Sequence, residues 1–184
     1  MTAIARLPAA SADDESVMTR ITDLVNAVYA ESERGLWREG ATRTTLPEVA
    51  ALTRADQIAI AEDDGRLTGV VCVKRLDADT GEFGMLATNP AVRGRGIGRD
   101  LVRFAEQVAR AEGCRTMQLE LLVPRDWVLE SKEFLAAWYA RLGYRLHRTG
   151  HIDEAYPELA PMLCTATDFR IYRKALSSRQ LTQC

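Results

Sequence analysis

The chain has little with which to build a metal centre or a covalent framework. Cys72, Cys114, Cys164 and Cys184 lie far apart, show no C-x-x-C spacing and have only His147 and His151 as histidine partners. That pattern argues against a zinc site and for reduced, mostly buried thiols. No apolar run approaches the ~20 residues of a membrane-crossing helix, and the start, Met1-Thr-Ala-Ile-Ala-Arg-Leu-Pro8, lacks the apolar core of a secretion signal. A cytosolic protein is the expectation. No excess of one charge is present either: the net charge is −2, and the basic residues are offset by acidic ones. Extended contact with nucleic acid or an anionic membrane is therefore not expected, whereas a local positive patch for one phosphorylated ligand is. At 184 residues the chain has the size of one domain with its own core, and residues 1–184 read as one unit without repeat, linker or low-complexity segment.

What is present is most informative at Asn89-Pro-Ala-Val-Arg93-Gly94-Arg95-Gly96-Ile97-Gly98-Arg99. An extended apolar run, a glycine-rich turn and an amphipathic helix follow one another directly. Glycines at 94, 96 and 98 let successive backbone N–H groups converge on an anion, and the helix they open adds the positive end of its dipole. Arg93, Arg95 and Arg99 supply charge beside them. A nucleoside-triphosphate loop needs Gly-Lys followed by Ser or Thr, and a dinucleotide fingerprint would need glycine where Arg99 stands. Neither is present. The spacing Arg93-x-x-Gly96-x-Gly98 resembles the pyrophosphate-binding signature of the GCN5-related N-acetyltransferases. The plain alternative is a surface turn before a helix.

Periodicity supplies the surroundings. Ile4 to Leu7 reads as a short strand and Ala9 to Ser16 as a loop. Val17, Ile21, Leu24, Val25 and Val28 give a helix to about Glu33. Thr45 caps a short helix with Pro47 in its first turn. Gln57 to Glu62 and Leu67 to Leu76 form a hairpin about Asp63-Asp64-Gly65, and Glu82 to Thr88 completes a meander that leads into the glycine loop. A helix from Ile97 to about Ala111 stops at Gly113, and Thr116 to Val123 reads as a strand buried on both faces. Ser131 is the expected cap of a helix ending at Gly143. Tyr144 to Arg148 is a strand, Asp153 to Leu163 a short helix interrupted by Pro157 and Pro161, and Phe169 to Arg173 a closing strand that pairs within the domain or across a dimer. The fold class is α+β.

A second motif, Trp138-Tyr139-Ala140-Arg141-Leu142-Gly143-Tyr144, looks like the tyrosine-x-x-x-glycine-aromatic segment of the same family, so the resemblance covers roughly Gln57 to Tyr144. It implies a mixed, mostly antiparallel sheet in which two neighbouring parallel strands splay apart around acetyl-CoA. Backbone groups of Leu86, Ala87 and Thr88 would pair with the pantetheine amides, and Arg93, Gly94, Arg95, Gly96, Ile97, Gly98 and Arg99 would hold the pyrophosphate. No metal is implied.

For acetyl transfer, an amine with an ordinary pKa near ~10 must lose a proton before it attacks a thioester. Glu82 stands where some family members carry a catalytic glutamate; alternatively it faces solvent after the Thr80-Gly81 turn. Glu120 is the other candidate, because a carboxylate in an apolar strand is costly without a partner or a task; alternatively it bridges to an arginine. Tyr139 is expected to hydrogen-bond or protonate the departing sulfur, unless it is only a core aromatic, and the Leu86 N–H to polarise the carbonyl oxygen. Family members often have asparagine seven residues before this tyrosine; here Lys132 takes that place, which puts any contact from there in doubt. Arg103 and Arg110 read as solvated helix residues, and His147 and His151 as surface residues. Trp37 and Arg38 occupy the region that commonly covers the acceptor pocket, as substrate contacts or as loop anchors, with Tyr156 a candidate for the opposite wall. The expectation is direct transfer to a small primary amine in a ternary complex. A protein acceptor and a non-catalytic acyl-CoA sensor are the competing readings.

Overall fold

A computed structural model describes residues 2–176; Cys184 lies outside them. Seven strands form one sheet: β1 (Ala3–Arg6), β2 (Ile58–Asp63), β3 (Arg66–Arg75), β4 (Thr80–Thr88), β5 (Thr116–Pro124), β6 (Arg145–Gly150) and β7 (Thr167–Ala175). Their order is β1-β2-β3-β4-β5-β7-β6. Every neighbouring pair is antiparallel except β4 and β5. The α+β expectation therefore holds, with a mixed sheet. The last strand in sequence is interior, paired along its length with β5 and with β6 on its other side. It is not an edge open to a second copy.

Helices α1 (Glu15–Ser32) and α2 (Leu46–Arg54) cover one face, α3 (Ile97–Ala111) and α4 (Glu130–Arg141) the other, and α5 (Ile152–Ala155) lies in the β6–β7 connection. On the first face Met18, Ile21, Val25 and Val49 pack on Ile58, Val70, Met85 and Ala87. On the second, Leu101, Val102, Ala105 and Tyr139 pack on Val71, Val73, Phe83, Met117 and Leu119. Leu36, Leu122, Ile152, Phe169 and Ile171 form a third cluster. Leu122 alternates with Leu121 along β5, so this cluster extends the α1/α2 face.

Local chemistry accounts for most boundaries. Asp14 caps α1 by accepting from the N–H groups of Ser16 and Val17 at 3.0 and 3.1 Å, and the preceding Ala9–Asp13 is a 3₁₀ turn rather than open loop. Thr45 caps α2 through the Glu48 N–H. Asp64 and Gly65 both have positive φ, as a two-residue hairpin of the mirror-image type I turn requires. Ser131 is not a cap: α4 starts at Glu130, after Leu129, and the Ser131 hydroxyl instead donates to the Ser32 carbonyl at the end of α1. The expected 153–163 helix is two short pieces, α5 and a 3₁₀ turn at Ala160–Met162, because Pro157 and Pro161 cannot continue it.

Gly81 is tightly enclosed. A Cβ there would lie 2.8 Å from the Cβ of Ala109 on α3 and 3.3 Å from the Met117 sulfur. Gly81→Ala is therefore expected to destabilise by about 1–3 kcal/mol through overpacking. The check is a lower urea midpoint at unchanged slope.

Candidate functional site

The parallel pairing of β4 with β5 lasts three rungs, Thr80 with Thr116, Gly81 with Met117 and Glu82 with Gln118, and then stops. Beyond Glu82 the strands part. In the same stretch β4 carries a bulge: Ala87 pairs with Val70 and Gly84 with Cys72, so that Met85 and Leu86 together oppose one residue of β3. Met85 adopts φ +51°, uncommon for a residue with a side chain. The bulge breaks the alternation of the strand. Phe83 packs in the α3/α4 core, whereas Met85 and Ala87 pack beneath α1 and α2. Leu86, Ala87 and Thr88 thus line an opening in the sheet, with no strand among the described residues paired to their β5-side edge.

The glycine segment sits at the mouth of this opening. Gly94 has φ +85° and Gly96, the N-cap of α3, φ +81°, both left-handed conformations that favour glycine. The first-turn N–H groups of Ile97, Gly98 and Arg99 have no acceptor within the helix and make an anion cradle. Gly98 is helical, and a Cβ on it would stand in ordinary contact, 3.7 Å from Thr88 and from the Trp138 ring, so α3, β4 and α4 meet beside it. These features fit a pyrophosphate. The three arginines differ. Arg95 bonds Asp63 of the hairpin at 2.7 Å, and Arg99 lies 3.5 Å from Asp100. Arg93 is exposed and has no ion pair among the described residues. Arg103 lies 3.5 Å from Asp100, which it shares with Arg99, and Arg110 lies 3.4 Å from Glu106 further along α3.

Across the α1/α2 face of the sheet runs a polar row over four strands, joined at three matched registers. Lys74 of β3 pairs with Glu82 at 2.9 Å, Gln118 of β5 donates to the other Glu82 oxygen at 2.9 Å, and Arg173 of β7 donates to Gln118 at 2.8 Å. Glu82 is buried rather than solvent-facing. Glu120, two residues further along β5 on the same face, has no ion pair with an arginine among the described residues; it accepts from the Tyr156 hydroxyl at 2.8 Å and feels the charge of Glu82. Burial, reinforced by the negative charge of Glu82 and opposed by the Tyr156 bond, pushes the Glu120 carboxyl up to about 7.

Tyr139 is buried on the other face, against the rings of Trp138, Phe83 and Tyr144 at 5.0, 5.9 and 6.1 Å between centroids. Burial raises its phenol well above the usual range. Its hydroxyl makes no hydrogen bond among the described residues. The Tyr144 hydroxyl, by contrast, donates to Glu106 at 2.9 Å.

Trp37 and Arg38 anchor the α1–α2 connection. The Trp37 indole donates to Glu33 at 2.5 Å, and its backbone bridges to Leu163. The Arg38 N–H and guanidinium reach the carbonyls of Met162 and Leu163 at 2.8 and 3.3 Å, and the Cys164 N–H reaches the Leu36 carbonyl at 2.9 Å. The two connections are thereby zipped together over the third apolar cluster, which includes Tyr156. Lys132, at the offset where family members often carry asparagine, is buried and paired with Glu33 at 2.5 Å, tying the start of α4 to the end of α1. Lys74, Gln118 and this ion pair escape sequence reasoning because their partners are set by strand register and helix packing. The only available signal was polar residues inside apolar runs. His147 is exposed on the edge strand β6, and His151 lies 3.1 Å from Arg125 at the surface, so neither joins the site. No cluster of three or more His, Cys, Asp or Glu among the described residues could hold a metal ion.

The site thus joins a mixed sheet opened between two parallel strands, an anion cradle at its mouth and a neutral-range carboxyl on its far face. The family model described as "Acetyltransferase (GNAT) family" matches residues 22–144. The chain belongs to that family. No curated protein sequence matches it. Among solved structures it is similar to the N-acetylglutamate synthase of Neisseria gonorrhoeae, complexed with coenzyme A and N-acetyl-glutamate, with 18% identity and a TM-score of 0.63. That match covers 97% of this chain, which spans only 36% of the synthase chain. The paia N-acetyltransferase of Thermoplasma acidophilum, in complex with coenzyme A, is 14% identical with a TM-score of 0.69 over 95% of this chain and 99% of its own. yncA from Salmonella typhimurium, with its cofactor acetyl-CoA, is 16% identical with a TM-score of 0.65 over 100% and 99%. At these identities the likeness is one of fold. No helix among the described residues is long and apolar enough to cross a membrane.

Proposed function

We propose that this chain is an N-acetyltransferase that moves the acetyl group of acetyl-CoA to a primary amine of a small molecule, directly and within a ternary complex, as one catalytic domain. The observation that carries the reading is Glu120. It is a partly buried carboxyl poised near neutrality, beside the point where β4 and β5 separate. Arg93 and the first-turn N–H groups of α3 hold the pyrophosphate, and the backbone of Leu86, Ala87 and Thr88 receives the pantetheine as an added strand. The amine nitrogen attacks the thioester carbonyl carbon, a C–N bond forms and the C–S bond breaks. The proton of the amine passes to Glu120, directly or through one water, and the sulfur leaves with the electron pair while the Tyr139 hydroxyl hydrogen-bonds to it. Glu82, held by Lys74 and Gln118, keeps the proton-accepting carboxyl raised and positioned. The zipped connections favour a small acceptor over a protein, because an open peptide groove would have to run where Trp37 and Arg38 bond the segment at Met162 and Leu163.

The test is thiol release from acetyl-CoA with pooled amines: amino acids, polyamines, aminosugars, arylamines and short peptides. Release dependent on one small-amine pool is expected. Acetylation of folded protein alone would turn the reading to a protein acceptor. Tight acetyl-CoA binding without turnover on any amine would turn it to a sensor.

A further inference from the structure

Tyr156 has no part in the transfer as written above, yet its hydroxyl donates to Oε2 of Glu120 at 2.8 Å. It reaches β5 from the connection between β6 and β7. Its own place does not depend on that bond. The ring stands edge-on to Phe169 of β7, with centroids 5.6 Å apart and planes at 76°. The Tyr156 N–H donates to the Ile152 carbonyl at 2.6 Å, and its carbonyl accepts from the Leu159 N–H at 3.0 Å. Ile152 is buried in the third apolar cluster with Phe169 and Ile171.

The connection is also anchored at both ends. Arg125, just beyond β5, donates to Asp168 at 3.0 Å and to the Thr167 carbonyl at 3.2 Å, and lies 3.1 Å from Nδ1 of His151. At the other end the bonds of Arg38 and Cys164 hold the stretch from Met162 to the α1–α2 connection. A phenol on such a support brings its hydroxyl to a fixed point on the carboxyl.

That carboxyl is pulled two ways. On β4 stands Glu82, in register with Gln118 two residues before Glu120, and beyond it on β3 is Lys74, 2.9 Å from Glu82. On β7 the residue in register with Glu120 is apolar Ile171, and Arg173 donates to Gln118. The charge of Glu82 favours a protonated Glu120, whereas a donor such as the Tyr156 hydroxyl favours the carboxylate. The phenol keeps its proton to play that part: burial first, and then the carboxylate it bonds, raise it well above its usual range.

From this geometry we infer that Tyr156 is a positioning residue: by holding Oε2 it stops the Glu120 carboxyl from rotating or sharing a proton with Glu82, and so keeps the proton acceptor ionised in one orientation. The inference rests on the reading of Glu120 above. It makes the acceptor the product of two distant segments, β5 and the β6–β7 connection, so that the base is set only while the connection is seated.

Tyr156→Phe removes the hydroxyl and keeps the ring on Phe169. The acidic limb of kcat/KM is expected to move up by about one pH unit. Above the limb, kcat should fall about 3- to 10-fold with KM within about 2-fold. Glu82→Gln removes the opposing charge and should move the limb down; a structural role alone would lower the rate without shifting the limb in opposite directions. The carboxyl is also read without turnover, by NMR titration of isotope-labelled glutamate carboxyls, with the Glu120 resonance assigned by its loss in Glu120→Gln. Its midpoint should rise in Tyr156→Phe. An unmoved midpoint, or a loss confined to KM, overturns the inference and leaves amine acetylation standing. If the limb survives in Glu120→Gln, the base reading fails instead, and the NMR midpoint still decides Tyr156: a rise supports its hold on this carboxyl, and no change refutes it.

Discussion

Glu120→Gln is expected to lower kcat/KM at pH 8 by about 10²–10³-fold and to remove the acidic limb of its pH profile. Below about pH 7 the wild-type carboxyl is protonated and cannot accept a proton; above it the carboxylate is available, so activity rises through that midpoint. The amine substrate adds a second rise toward its own pKa, and only that rise should survive in the variant. A variant that keeps a limb near 7 would assign the proton acceptor elsewhere, Glu82 first. Glutamine preserves an oxygen for the Tyr156 hydroxyl, so the comparison isolates the charge.

The same substitution has an opposite effect on stability. A carboxyl whose pKa is raised in the folded chain binds its proton more tightly there than in the unfolded chain. Raising the pH from its ordinary value near 4.5 to about 7 therefore costs the folded state. Glu120→Gln should be neutral at pH 4 and stabilising by about 1–2 kcal/mol at pH 8, after discounting for partial exposure. Paired melting curves at the two pH values read this directly. Activity lost where stability is gained is the pattern of a group kept for chemistry.

What could be read from the residues, and what could not, divides along a physical line. Helix periodicity, the Asp14 and Thr45 caps, the Asp64-Gly65 turn and the two left-handed glycines are local, and local chemistry is written in neighbouring residues. The position of β7 between β5 and β6 is not, because strand order is decided by which long-range pairing buries most apolar surface. Nor is the bulge: nothing in Gly84-Met85-Leu86 announces that Met85 will take a positive φ, since the strain is sustained by packing on both faces. Glu82 and Glu120 were visible as carboxylates in apolar strands. Their linkage through Lys74, Gln118 and Tyr156 depends on register across three strands and on a loop from the far end of the chain.

Tyr139→Phe should lower kcat about 10- to 100-fold with acetyl-CoA affinity unchanged within about 2-fold and no change in melting temperature beyond a small rise. The phenol is buried among aromatic rings and has no hydrogen-bond partner among the described residues, so its removal breaks no native bond and relieves a polar group of its desolvation. Burial also holds it neutral through the working pH range. The loss should therefore be the same at every pH, in contrast to the loss at Glu120. A phenol this weakly acidic does not hand its proton fully to an ordinary thiolate, whose pKa lies near ~8.5; it stabilises the departing sulfur by hydrogen bonding. That assignment has its own signature. With an acetyl thioester of a more acidic thiol, less charge needs stabilising on the sulfur, and the gap between wild type and Tyr139→Phe should narrow. An equal gap for both donors would make Tyr139 a wall of the pocket rather than a participant, and the aromatic cluster it joins would then be the reason for its place in α4.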